Sequence, residues 1–228
     1  MRARLLAEAI GTFALVFAGC GAIVVDGLTG GALGVVGIAA VFGLVVLAMI
    51  HALGDVSGAH FNPAVSLAFW RAGRLPGREA ARYTAAQCAG ALTAAAALRL
   101  LFPGHATLGA TLPSGTALQA FGLEAVMSFL LMMVILGVAH GAREQGLMAG
   151  VAVGGTVALE AMFGGPISGA SMNPARSLGP ALMSGHVAEL WIYLLAPTLG
   201  MLAAIPLCRM LRPDGCCCAG ACTIPGEA

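Results

Sequence analysis

Residues 57–67 read Ser-Gly-Ala-His-Phe-Asn-Pro-Ala-Val-Ser-Leu, and residues 168–178 read Ser-Gly-Ala-Ser-Met-Asn-Pro-Ala-Arg-Ser-Leu. Eight of these eleven positions are identical, and the copies lie 111 residues apart in a chain of 228. An offset of about half the chain indicates an internal duplication. The segments around Glu8 and Glu124 also correspond, so the duplication extends well beyond the eleven residues.

The composition places the chain in a membrane. It is 59% hydrophobic and 9% charged, with a mean hydropathy of +0.94. A soluble domain carries roughly 25% charged residues, so this chain has too little charge to cover a surface that faces water. A net charge of +1 gives no reason to expect nucleic-acid binding.

Six apolar segments approach the roughly 20 residues that a bilayer core of about 30 Å requires. They are residues 5–25, 33–54, 83–102, 120–139, 147–165 and 187–208. Nine of the eleven Arg residues then fall at the termini or in the connections that lie on the same side as the termini. The positive-inside rule therefore predicts an integral protein of the cell membrane with both termini in the cytoplasm. An alternative is a lipoprotein signal that ends at Cys20, but Glu8 inside its apolar core and five further spans argue against it.

Three spans per repeat is an odd number, so the second repeat must enter the membrane from the opposite face. The predicted fold is therefore an all-α membrane protein of two inverted three-span repeats, whose functional site lies where the repeats meet. Residues 1–102 form the first repeat, 103–119 a connector on the extracellular or periplasmic side, 120–212 the second repeat and 213–228 a tail.

Each Asn-Pro-Ala triplet is a helix start, because Asn is a preferred N-cap and Pro is favoured at the first helical position. Apolar residues follow to Trp70 and to Met183, and a Gly ends each stretch. Eight to ten helical residues span roughly 12–15 Å, half of a bilayer. We therefore expect two re-entrant half-helices that meet at the centre. A surface turn is the alternative for one Asn-Pro pair, but two copies between apolar spans disfavour it.

Two helix N-termini that face one point disfavour cations there, since each carries a partial positive charge. The side-chain oxygens of Asn62 and Asn173 can cap the helices, which leaves their NH2 groups to donate to a passing water. Carbonyl groups before each triplet lack helical partners and can form a row of acceptors along a pore. They belong to Ala59, His60, Phe61, Gly169, Ala170, Ser171 and Met172.

The six-span duplicated plan, the paired triplets Asn62-Pro63-Ala64 and Asn173-Pro174-Ala175, and the Arg after the second triplet resemble the aquaporin, or major intrinsic protein, family. The resemblance covers about residues 3–212. Residues 166–181, Pro-Ile-Ser-Gly-Ala-Ser-Met-Asn-Pro-Ala-Arg-Ser-Leu-Gly-Pro-Ala, also resemble the nodulin-26-like branch and its bacterial relatives. The resemblance implies a homotetramer with one pore in each subunit, surrounded by lipid.

The resemblance also implies a selectivity filter at Phe42, Ala161, Ala170 and Arg176. Two of these side chains are single methyl groups, which predicts a filter wider than that of water-selective members. Ser177 departs from the Asp of typical glycerol facilitators. Glu8 and Glu124 are implied to brace the two loops that precede the half-helices. Glu160 has no counterpart in the first repeat, and loop bracing, helix packing and a substrate contact all stay open for it.

The cysteines divide into two groups. Cys20, Cys88 and Cys208 lie in or near spans and are expected to pack as small apolar residues. Cys216, Cys217, Cys218 and Cys222 cluster in the tail, where adjacent thiols can bind soft metals or arsenic(III), carry palmitate, or bind nothing.

These features predict a passive channel for water and small uncharged solutes, namely polyols, urea-like molecules or metalloid hydroxides such as arsenite. No catalytic triad, phosphate loop or zinc pattern is present, so we expect neither enzymatic activity nor a cofactor. The main alternative is a proton-coupled transporter that uses Glu160 or Glu8. A structural or adhesive membrane protein is a third possibility, distinguished by the lack of any permeability.

Overall fold

A computed structural model describes residues 1–139 and 148–212. This part of the chain forms eight helices and no strand. In chain order they are α1 (Arg2–Leu28), α2 (Gly34–Ser57), α3 (Pro63–Arg71), α4 (Gly77–Leu101), α5 (Ala117–Val138), α6 (Ala149–Ser168), α7 (Pro174–Ser184) and α8 (Leu190–Leu211).

Six of the helices are long and apolar enough to cross a membrane, namely α1, α2, α4, α5, α6 and α8. The remaining two, α3 and α7, are the predicted half-helices, with nine and eleven residues. The predicted six-span architecture with two re-entrant half-helices is therefore confirmed. Large apolar side chains such as Leu44, Leu130, Leu159 and Leu195 are exposed on the outer surface, where lipid replaces water as the solvent.

The start of one helix was predicted too far along the chain. The third long helix begins at Gly77 instead of 83, because Arg78, Glu79 and Arg82 continue the helix beyond its apolar part. A bilayer limits only the apolar part of a helix, and a helical turn that carries charge can extend into the interface.

The two repeats pack in the same way and also interlock. Within each repeat the first and third spans are in contact, α1 with α4 and α5 with α8. Each half-helix packs against the third span of the other repeat, α3 against α8 and α7 against α4. Contacts between α2 and α6 close the interface between the repeats.

Glycine allows the closest of these crossings. A Cβ on Gly90 of α4 would collide with the carbonyl oxygen of Ala9, and one on Gly200 of α8 would collide with that of Ala125. Small residues at such crossings let helix backbones approach closely, which is how helices associate in membranes. The two contacts occupy equivalent places in the two repeats.

Candidate functional site

The loops that precede the half-helices share one unusual backbone conformation. Ala59 and Phe61 have φ values of 49° and 47°, and their counterparts Ala170 and Met172 have 41° and 48°. For L-residues the left-handed region costs roughly 1–2 kcal/mol each. These loops therefore need support from elsewhere in the fold.

Glu8, buried on α1, supports the first loop. Its carboxylate accepts from the backbone N–H groups of His60 at 3.0 Å and Phe61 at 2.7 Å. It also accepts from the Ser57 hydroxyl and the Gln87 amide, each at 2.7 Å. Four donors thus surround one carboxylate, which satisfies a charge that would be costly to bury alone.

Glu124, buried on α5, has the equivalent place in the second repeat. It accepts from the backbone N–H groups of Ser171 and Met172, each at 2.8 Å, and from the Ser168 hydroxyl at 2.7 Å. Both carboxylates thus bind consecutive loop N–H groups, which the bracing role requires.

Two tyrosines complete the support. The Tyr83 hydroxyl donates to the Ser57 carbonyl at 2.8 Å, and the Tyr193 hydroxyl donates to the Ser168 carbonyl at 2.6 Å. Neither tyrosine was predicted from the sequence as a site residue, and neither was Gln87. A signal was present, since these are the only two tyrosines in the chain and lie 110 residues apart, close to the offset of the duplication.

The half-helices meet tip to tip at the two asparagines. The Asn62 side-chain oxygen caps α3 by accepting from Ala64 N–H at 2.9 Å, and that of Asn173 caps α7 through Ala175 N–H at 3.0 Å. Each NH2 group crosses to the other repeat. Asn62 Nδ2 donates to the Met172 carbonyl at 2.7 Å, and Asn173 Nδ2 donates to the Phe61 carbonyl at 2.9 Å.

These hydrogen bonds between the repeats change the expectation of a row of free carbonyl acceptors along the pore. The carbonyls of Phe61 and Met172 are engaged by asparagine amides, so each keeps only one lone pair for a permeant molecule. Likewise each amide has one hydrogen left to donate. Pro63 and Pro174 are buried beside these contacts, at the junction of the two tips.

A cavity of about 490 Å³ runs along the contact between the repeats. Arg176 and Phe42 lie at one end, and His51 and Asp55 of α2 line it farther along. Its walls are mainly apolar, with contributions from Leu15, Val46, Val65, Leu131, Val153 and Val157. Of the predicted carbonyl-bearing residues, all except Gly169 line it.

Arg176 is a buried charged group that lines the cavity. Its side chain is 1% exposed, and its guanidinium carbon lies 5.0 Å above the centre of the Phe42 ring. Nη1 donates to the Gly109 carbonyl at 2.9 Å, while Nε has no hydrogen-bond partner within residues 1–139 and 148–212. Nε is itself buried, so an oxygen of a permeant molecule would be bound by the guanidinium N–H groups of Arg176 other than Nε and the one that Gly109 binds.

The other two predicted filter residues are small and buried. Ala170 lines the cavity beside Arg176. Ala161 lies on α6 and does not itself line the cavity. Gly109, the partner of Arg176, was not predicted from the sequence. Every residue has a backbone carbonyl, so the residue type does not indicate which carbonyl binds the arginine.

His60 and Glu160 have contrasting surroundings. His60 Nδ1 lies 3.1 Å from Ser66 Oγ, and its ring stacks on Phe69 at 4.6 Å, so this side chain packs on α3. Glu160 is 1% exposed, and neither carboxylate oxygen has a hydrogen-bond partner in the described part of the chain.

The cysteines of the spans are buried or half-buried. The tail cysteines at 216, 217, 218 and 222 lie outside the described residues, as does Arg143. Within the described ranges no group of three or more His, Cys, Asp or Glu side chains could hold a metal ion.

Comparisons with known proteins agree with this geometry. The family described as major intrinsic protein has a sequence model that matches residues 1–206. Aquaporin NIP1-1 of Zea mays is 46% identical over 210 residues, covering 92% of this chain and 74% of the relative. Aquaporin NIP1-4 of Oryza sativa subsp. japonica is 50% identical over 212 residues, with 92% and 77% covered.

Nodulin-26 of Glycine max is 47% identical over 210 residues, with 92% of this chain and 78% of the relative covered. Among solved structures, the X-ray structure of the aquaglyceroporin from Plasmodium falciparum has the same fold. Its TM-score is 0.81 at 24% identity, covering 92% of this chain and 94% of that chain.

Proposed function

The chain belongs to the major intrinsic protein family, and on this premise we propose that it conducts small uncharged solutes in addition to water and excludes protons and ions. The family resemblance seen in the sequence is thereby confirmed. Membership makes the protein an integral membrane channel for water and small solutes. The solutes, the exclusion of protons and the orientation are our proposals.

One observation carries the solute proposal, namely the composition of the filter. Beside Arg176 and Phe42, Ala170 lines the cavity with a single methyl group, and Ala161, the fourth position implied by the family, adds no side chain to the lining. An aperture with one methyl group and no larger side chain at the fourth position has more room than one with larger side chains at both positions. We therefore propose glycerol-like polyols, urea-like molecules and metalloid hydroxides such as arsenite or boric acid as solutes.

Electrostatics supports the exclusion of ions. The N-termini of α3 and α7 both point to the asparagine junction, and Arg176 adds a buried positive charge. Aquaporin-type pores exclude protons and cations through half-helix dipoles and an arginine of this kind. The remaining amide hydrogens of Asn62 and Asn173 can both donate to one water oxygen, whose two lone pairs are then occupied, so that this water cannot accept from its neighbours in the file.

The test is permeability of proteoliposomes measured by stopped-flow light scattering with water, glycerol, urea, boric acid and arsenite. A pH-sensitive dye inside the vesicles reports proton flux. We expect water and at least one solute to enter faster than in empty vesicles, with proton entry unchanged. Solute entry equal to that of empty vesicles would contradict the solute proposal.

A filter variant sharpens this test. Ala161→Phe should reduce solute permeability by at least about tenfold while water entry falls less, since added bulk excludes the larger molecule first. Leu159→Phe is the matched control, because Leu159 is exposed on the outer surface of the same helix. A solute permeability equal in both variants would remove Ala161 from the filter.

A proton-coupled transporter is the second candidate, and it is favoured by the carboxyl of Glu160, which has no hydrogen-bond partner among residues 1–139 and 148–212. Glu8 is less suited to carry protons, since four donors already bind it. Coupling predicts solute accumulation under an imposed proton gradient. A channel only equilibrates, so accumulation above the outside concentration would favour the transporter.

We further propose that both termini are cytoplasmic, that the protein resides in the cell membrane, and that it forms homotetramers with one pore per subunit. The arginine distribution supports the orientation. The apolar outer surface supports contact with lipid or with further copies. The adjacent tail thiols remain candidates for arsenic(III) or soft-metal binding.

A further inference from the structure

The connector between α4 and α5 (residues 102–116) supplies the carbonyl that holds Arg176. We propose that Arg99 and His105 are positioning residues that, through this connector, set the place of Arg176 in the filter and thereby the solute selectivity. This inference rests on the proposed function, because it concerns the selectivity of the same pore.

The first step is the contact between Gly109 and Arg176. Gly109 has a φ of 73°, and a Cβ added to it would lie 2.9 Å from both Cα and Cβ of Cys20 on α1. The connector is thus seated directly on α1 at this point. Its carbonyl accepts from Arg176 Nη1 at 2.9 Å. The position of the guanidinium therefore depends on the path of the connector backbone.

The second step is Arg99, in the last turn of α4. Nη1 donates to the carbonyls of Pro103 at 3.2 Å and His105 at 3.0 Å. Nη2 donates to the carbonyl of Met183 at 2.9 Å. Met183 lies near the end of α7, the half-helix whose first turn carries Arg176. One guanidinium thus ties the connector to the helix that bears the filter arginine.

The third step is His105. Its Nδ1 accepts the backbone N–H of Leu108 at 3.0 Å. Leu108 is fully buried and has a φ of 53°, a conformation that is uncommon for a leucine. This residue turns the chain immediately before Gly109. The imidazole acceptor therefore stabilises the turn that presents the Gly109 carbonyl to Arg176.

A further contact fixes the connector to α7 on the other side of Gly109. The Thr111 hydroxyl donates to Ser177 Oγ at 2.8 Å, and Ser177 follows Arg176 in the chain. The connector is therefore attached on both sides of Gly109, by His105 and Arg99 before it and by Thr111 after it. Because Ala170 lines the cavity beside Arg176 with only a methyl group, a shift of Arg176 changes the aperture directly.

The test measures the ratio of urea to water permeability in proteoliposomes. We expect His105→Leu and Arg99→Met each to change this ratio by at least about threefold, a size usual for residues that act through a contiguous network. His105→Asn should restore the wild-type ratio, because Asn Oδ1 can accept the Leu108 N–H in place of Nδ1. The control is His186→Leu, an exposed histidine that bonds to Ser184 near the end of α7.

A double variant decides whether the effect passes through Arg176. In an Arg176→Val background, His105→Leu should leave the ratio unchanged, because the group that the connector positions is gone. An equal change in both backgrounds, or no change in the single variants, would overturn the proposal. If His105→Leu does not fold in detergent, the milder His105→Gln and Arg99→Lys variants are compared in the same cycle.

The outcome is separable from that of the proposed function. If the wild-type protein conducts water but none of the solutes tested, urea included, the solute proposal fails. The positioning proposal then predicts that urea entry appears in His105→Leu and not in His105→Asn or His186→Leu. The absence of urea entry in all these variants would contradict it.

Discussion

At the scale of single residues, burial decides how much an acidic side chain contributes to the stability of the fold. Glu8 and Glu79 are both glutamates with a partner, yet their surroundings differ. Glu8 is fully buried and accepts four hydrogen bonds, whereas Glu79 pairs with Arg4 at 3.0 Å with side-chain exposures of 21% and 45%. Water screens the interaction between Glu79 and Arg4, whereas the hydrogen bonds to Glu8 are buried and are not screened.

We therefore predict that Glu8→Gln lowers stability by about 2–4 kcal/mol, because an NH2 group then faces donors that need an acceptor. Glu79→Gln should cost about 0–1 kcal/mol, as exposed ion pairs usually do. Thermal unfolding of the detergent-solubilised protein, followed by circular dichroism, measures both changes. Equal losses would show that the loop does not depend on the carboxylate of Glu8.

The capping asparagines could be predicted from the sequence, since capping needs only neighbouring residues. The partners of Arg176 could not. Gly109 lies 67 residues away along the chain and offers a backbone carbonyl, a group that every residue has. The same holds for Tyr83, whose acceptor is the carbonyl of Ser57.

At the scale of helices, the fold depends on close crossings at equivalent places in the two repeats. Gly90 meets the carbonyl of Ala9, and Gly200 meets that of Ala125. Helices in a bilayer gain little from apolar burial alone, because lipid is equally apolar. Close backbone approach and van der Waals packing therefore provide much of their association.

We predict that Gly90→Ala and Gly200→Ala each destabilise the protein by about 1–3 kcal/mol, since a Cβ forces the helices apart. Gly155→Ala is the matched control in α6, where a Cβ would meet nothing within 4 Å. It should be neutral or slightly stabilising, because Ala is the better helix former by about 1 kcal/mol. Unfolding temperatures in one detergent rank the three. A Gly90→Ala variant as stable as Gly155→Ala would contradict this account of the α1–α4 contact.

At the scale of the whole molecule, the two repeats complete each other. Each half-helix packs on the third span of the other repeat, and each asparagine donates to the other repeat's loop. Neither repeat alone contains both sides of the pore. The inverted arrangement also places the α4–α5 connector on the side opposite the two termini.

We predict that a cysteine at Ser114 in this connector reacts with a membrane-impermeant maleimide in intact cells. A cysteine that replaces Arg2 should react only after the cells are opened, because the positive-inside rule places the termini in the cytoplasm. Both variants are made in a background that lacks the native cysteines. Labelling of Arg2→Cys in intact cells, with no labelling of Ser114→Cys, would show that the protein has the opposite orientation.

The sequence by itself determined the membrane class, the six spans, the duplication and the two capped half-helices. Those properties follow from composition, from periodicity and from contacts between near neighbours. All three can be seen in a single sequence. Only the tertiary structure decided which donors surround Glu8, that Asn62 and Asn173 donate to each other's loops, and that Gly109 holds Arg176. Such contacts join residues far apart in the chain, often through backbone groups common to every residue, so residue identity alone does not specify them.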